Sequence, residues 1–132
     1  METTLQGAAF GEAVTAWDGH EERPASQPLP EGRPTAYPIS VGAAAALSSI
    51  SLPETLTAYL HAFTSNLIQA AVRLVPLGQR DGVAALAALE PVILRAASRA
   101  ARSSLDDLGS ATFFSDLLSM RHETQYSRVF RS

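Results

Sequence analysis

The sequence predicts an all-α fold: a single helical bundle of about five helices, with a Pro-rich linker after the first. Three observations carry this. Apolar residues recur at three- and four-residue steps, the spacing that keeps side chains on one helix face. No alternating β-branched run occurs anywhere in the 132 residues, so strands have no local support. Alanine, the best helix former, is abundant.

The elements follow in order. Residues 2–18 read as a first helix, with Leu5, Phe10, Val14 and Trp17 roughly on one side; Gly7 and Gly11 weaken it. Residues 19–35 form the linker. Pro24, Pro28, Pro30 and Pro34 fix φ and remove backbone donors, so no regular element survives there. Residues 36–132 are expected to form the main helical domain. Ile39 to Leu47 suits a short Ala-rich helix. Ser51-Leu52-Pro53-Glu54 is a capping box with Pro in the first turn, and it opens the clearest helix of the chain. Leu56, Leu60, Phe63, Leu67, Ala70 and Leu74 make its apolar stripe, which reads as a core face. His61, Asn66, Gln69 and Arg73 argue against a membrane span.

Val75-Pro76-Leu77-Gly78-Gln79 breaks that helix. Asp81 then suits the cap of the next, which runs to about Ser103 with Leu86, Leu89, Ile93, Ala97 and Ala100 facing inward. Pro91 inside it implies a bend near 87–90 or two consecutive helices. After a polar turn at 105–110, with Ser110 as cap, a last helix carries Phe113, Phe114, Leu117 and Leu118 into the tail. No period of 30–40 residues repeats, so a solenoid is not expected.

Composition narrows the chemistry. There is no Cys, hence no disulfide, thiolate nucleophile or thiolate metal site. The net charge is −3, with six acidic residues against two arginines in residues 1–34 and a nearly neutral remainder. That is not the basic footprint of a nucleic-acid binder. All ten basic residues are Arg, which suits planar interface contacts better than Lys does. The N-terminus lacks signal-peptide regions, so a cytoplasmic location is expected.

Catalytic constellations are weak. His122-Glu123 invites a small helical metal-dependent hydrolase, but the second His that such a motif needs is replaced by Tyr126. His61 is read as a histidine satisfied by a neighbouring helix rather than as a metal ligand. Arg95, Arg99 and Arg102 form a stripe that serves the helix end or an acidic partner; a helical nucleic-acid-binding module is the rival reading, against the acidic net charge. Asp106, Asp107 and Asp116 are read as caps and dipole partners. No Gly-rich phosphate loop is present, and no cofactor or metal site is expected.

The tail stands apart. Residues 119–132 hold three arginines, a His-Glu pair, a tyrosine and a phenylalanine, and Arg and Tyr are the side chains that most often carry interface energy. A protein-contact surface is therefore expected. Arg73 and Gln79 stand on either side of the 76–78 break, which either only ends the helix or presents a second recognition edge.

Four stretches then carry a family resemblance: Ala36-Tyr37-Pro38-Ile39-Ser40-Val41-Gly42, Tyr59-Leu60-His61-Ala62-Phe63, Arg73-Leu74-Val75-Pro76-Leu77-Gly78-Gln79, and Leu105 to Ser110 continuing through Met120 to Ser132. They resemble the C-terminal portion of UreF, a urease accessory protein family, with the family's N-terminal part missing and Met1 falling mid-chain. The resemblance implies a helical protein, not an enzyme, within a nickel metallochaperone complex. It would act as a scaffold that couples UreD (also UreH) and the GTPase UreG to urease apoprotein during nickel-centre assembly. A homodimer stays open. The partner-binding residues implied are Arg73, Gln79, Met120, Arg121, His122, Glu123, Gln125, Tyr126, Arg128, Phe130 and Arg131.

Overall fold

Five α-helices and one 3-10 turn make up the regular structure among the described residues, with no strand there. The computed structural model describes residues 2–18, 35–75, 77–109 and 112–123. Linker residues 19–34, the expected Ser110 cap and the tail after Glu123 lie outside the described residues. The helices are α1 (Glu2–Asp18), α2 (Tyr37–Leu47), α3 (Leu52–Leu74), α4 (Gln79–Ala100) and α5 (Phe113–Glu123), with the 3-10 turn at Leu105–Asp107. Two units divide them: residues 1–102 hold α1 to α4, and residues 103–132 hold the turn and α5.

Local chemistry sets the helix ends. Pro38 and Pro53 sit in the first turns of α2 and α3, where a missing N–H costs nothing. At α3 the Glu54 carboxylate accepts the Ser51 N–H at 3.2 Å and the Ser51 hydroxyl at 2.6 Å. Helix α2 ends in a Schellman motif: the Ile50 N–H reaches the Ala45 carbonyl at 2.9 Å and the Ser49 N–H reaches that of Ala46 at 3.1 Å. Ser49 occupies the left-handed position at φ 56°, where glycine is usual.

Asp81 departs from its expected place. It is not the cap of α4 but stands three residues inside, where its carboxylate accepts the N–H of the cap residue Gly78 at 3.0 Å. Pro91 does not split the segment in two, since α4 is a single helix from Gln79 to Ala100. The carbonyl that loses its partner belongs to Ala87, which is exposed, so water can satisfy it.

In the first unit α1 packs on α2, α2 on α3, and α3 on α4. Two glycines set the spacing. A Cβ at Gly82 of α4 would lie 3.1 Å from Val72 Cγ2 and 3.4 Å from Ile68 Cγ2 of α3. A Cβ at Gly7 of α1 would collide with the Thr35 carbonyl oxygen. Gly7 therefore does more than weaken its helix: its bare backbone lets α1 approach the chain entering α2.

The expected core is only partly formed. Ile93 and Ala97 of α4 are buried as their spacing predicts, but Leu86 is half-buried and Leu89 and Ala100 are exposed. On α3 no residue is fully buried. Leu56, Leu60 and Ala70 are half-buried, whereas Phe63, Leu67 and Leu74 are 54%, 58% and 59% exposed. The stripe is wider than the strips that α2 and α4 cover, so its outer residues lie open. Phe10 and Val14 of α1 are half-buried and Leu5 is exposed; the Trp17 side chain lies outside the described residues.

Substitutions should separate these roles in chemical denaturation. Gly7→Ala should destabilise the first unit by about 1–3 kcal/mol, because a backbone oxygen cannot rotate away from the new methyl. Gly42→Ala, mid-helix in α2 with nothing within 4 Å of the added carbon, should instead stabilise by about 0.5–1 kcal/mol. Ser49→Gly should stabilise by about 1 kcal/mol by removing the left-handed strain.

Candidate functional site

Three aromatic rings bring α1, α2 and α3 together. Phe10 meets Tyr37 edge-to-face, with centroids 5.4 Å apart and planes at 87°. Tyr37 in turn lies 5.9 Å from Tyr59, tilted by 37°. The Tyr37 backbone N–H, an orphan donor at the start of α2, is met at 3.3 Å by the Thr3 hydroxyl of α1.

Over this junction the three helices form a groove of about 860 Å³. Val14, Val41, Ala58, Ala62, Phe63 and Leu67 give it an apolar surface, and among the described residues the only charged one in its lining is Glu54. That carboxylate is held below the usual glutamate range, first by the Ser51 hydroxyl and then by the Ser51 N–H. Asp107 is held low likewise, by the N–H and then the hydroxyl of Ser104. Both acids are used as helix-start acceptors. The groove therefore offers contact area for apolar side chains and no acid–base pair. Among the described residues no group of three His, Asp or Glu side chains lies together, and no helix is long and apolar enough to cross a membrane.

The residues expected from the sequence fall elsewhere. Arg73, in the last turn of α3, and Gln79, the first residue of α4, are both exposed beside the helix break. Met120 and Arg121 are exposed on α5. His122 and Glu123 belong to α5, but their side chains lie outside the described residues, as do Gln125, Tyr126, Arg128, Phe130 and Arg131. His61 is corrected: it is exposed, not satisfied by a neighbouring helix, because α2 and α4 flank other faces of α3. Arg95, Arg99 and Arg102 are exposed, and the Arg102 guanidinium donates to Ser98 Oγ at 2.7 Å. Sequence reasoning missed the groove because it assigned Phe63 and Leu67 to the core; the usable signal was an apolar stripe too broad for two neighbours.

Comparison with known proteins bears on this arrangement. The family model described as UreF matches residues 1–90, which span α1 to α3 and the first half of α4. The chain belongs to the UreF family. The match starts at residue 1 and so takes in α1, while relatives that match along the whole chain extend it to the tail. The urease accessory protein UreF of Rhodopseudomonas palustris (strain BisA53) is 53% identical over 133 residues, covering 100% of this chain and 55% of that protein. The UreF of Mesorhizobium japonicum is 50% identical over 131 residues, 99% of this chain and 56% of its own length. That of Bradyrhizobium diazoefficiens is 50% identical, with 100% and 54% covered. This UreF-family chain thus spans about half the length of the curated relatives it matches.

The cap at α3 has a pH signature. Because Glu54 titrates below its unfolded value, its stabilising contribution is complete above the ordinary glutamate pKa and is lost as pH falls through the lowered folded value. NMR titration should place the Glu54 midpoint below the usual glutamate range, with the Ser51 amide shift following the same curve. Ser51→Ala should move that midpoint upward, since it removes the largest cause.

Proposed function

We propose that this chain works as a non-catalytic urease accessory protein. In this reading it is a scaffold that couples UreD (UreH) and the GTPase UreG to urease apoprotein while the nickel centre is assembled, in the cytoplasm. Family membership is the observation that carries the reading. The surface agrees with it. Apolar and arginine side chains stand exposed on α3, α4 and α5, the composition of a contact surface rather than of a reaction pocket. The GTP hydrolysis belongs to the partner, as this sequence holds no phosphate-binding loop.

In this reading the tail supplies the anchors. Met120, Arg121, His122, Glu123, Gln125, Tyr126, Arg128, Phe130 and Arg131 dock one partner, and Arg73 with Gln79 offers a second edge at the α3–α4 break. Aromatic and Arg anchors of this kind dominate interface energy.

Affinity capture with UreD and UreG tests the proposal. Retention of either is expected, and no association with either by chain whose helicity is verified would overturn it. Tyr126→Ala and Arg128→Ala should each weaken assembly by about tenfold, roughly 1.4 kcal/mol. Helicity by circular dichroism should stay unchanged; its collapse would make these residues structural instead.

A further inference from the structure

The second half of α4 carries a charge pattern that its own helix does not explain. Residues 91–102 hold Arg95, Arg99 and Arg102 and no acidic residue, in a chain whose net charge is −3. Steps of four and three residues place the three on one helix row, about 10 Å from end to end. The row faces away from α3, since α4 turns Gly82, Ile93 and Ala97 inward while Arg95, Ser98, Arg99 and Arg102 are exposed. The Arg102 guanidinium reaches back one turn to Ser98 Oγ at 2.7 Å, which lays it along the row.

Local chemistry works against this pattern. Like charges three or four residues apart on a helix repel, so Arg95 with Arg99, and Arg99 with Arg102, each weaken the end of α4. No acidic residue stands three or four positions from Arg95 or Arg99 to offset this. The macrodipole favours cations only in the last turn, which accounts for Arg99 and not for Arg95. Local rules are broken chiefly where function asks for it.

The row also says what fits. A guanidinium fork pairs with a carboxylate through two parallel bonds. Ala84 and Ala88, exposed one turn apart, lie on the same face ahead of Arg95, so a neighbouring helix can come close there. Three cations over about 10 Å are too few for a nucleic-acid duplex, whose binding rests on many phosphate contacts, and the acidic balance of the chain opposes a polyanion. We propose that the outward row of α4 docks a helix of a partner protein that carries carboxylates at matching four- and three-residue steps. Its residues are other than those of the tail and of the Arg73–Gln79 edge. The inference stands on the charge pattern and not on the scaffold reading, so failure of capture with UreD and UreG leaves it intact.

The test titrates the 132-residue chain at low ionic strength with an alanine-rich helical peptide bearing glutamates at those steps, and with the same peptide carrying glutamines instead. Binding is read from the arginine Nε–H NMR signals, and stability from the melting temperature by circular dichroism. The glutamate peptide should shift the Arg95 and Arg102 signals saturably, and less at raised salt, whereas the glutamine peptide should not. Arg95→Glu should weaken binding by about tenfold or more. The same substitution should raise the melting temperature by about 2 °C, because a carboxylate four residues before Arg99 turns repulsion into attraction. Arg80→Gln, exposed in the first turn of α4 about 20 Å along the axis from Arg95, should change binding less than about twofold. Equal binding of the two peptides, or equal sensitivity at positions 80 and 95, would overturn the proposal. A fall in melting temperature with Arg95→Glu would make the row structural and overturn it as well. So would self-association of the chain that Arg95→Glu abolishes, or tighter binding of a DNA duplex than of the glutamate peptide.

Discussion

The Tyr37 junction is the constraint on which the first unit depends. A single residue at the head of α2 supplies an aromatic face to α1 and to α3, and its backbone N–H is capped from α1. Edge-to-face and tilted ring pairs are directional, worth about 0.5–1.5 kcal/mol each beyond the area they bury. Few apolar side chains are fully buried here, so contacts with a defined geometry carry much of the specificity. Without the junction, α1, a 17-residue helix with two internal glycines, would lose its ring contact and its bond to the head of α2.

A second constraint works through absence of side chain. Gly7 lets α1 come close to the segment entering α2, and Gly82 does the same for α4 against α3. One contact lies between α1 and the start of α2, the other between α4 and α3, and each trades helix propensity for close approach. The alanines on α2 and α3 extend the same logic to the groove, where short side chains leave room instead of filling it.

The ionisable groups fit the same picture of local helix chemistry. The carboxylates with lowered pKa values, Glu54 and Asp107, are spent on helix starts. Apolar side chains and arginines stand exposed on α3, α4 and α5, and Arg is enriched at protein interfaces.

Helix type, order and most boundaries were legible in the residues, because periodicity, prolines and the Ser51–Glu54 box act within a few positions of one another. So was the buried face of α4 at Ile93 and Ala97. The expected partner-contact residues came from composition and resemblance, and of these the structure places Arg73, Gln79, Met120 and Arg121 in the open. Tertiary structure alone decided that Phe63 and Leu67 line a groove, that His61 faces outward, and that Gly7 is a point of contact. An apolar stripe specifies that a helix face seeks cover. Which part of the stripe is covered depends on where the neighbouring helices cross it, and that is a property of contacts far apart in the chain.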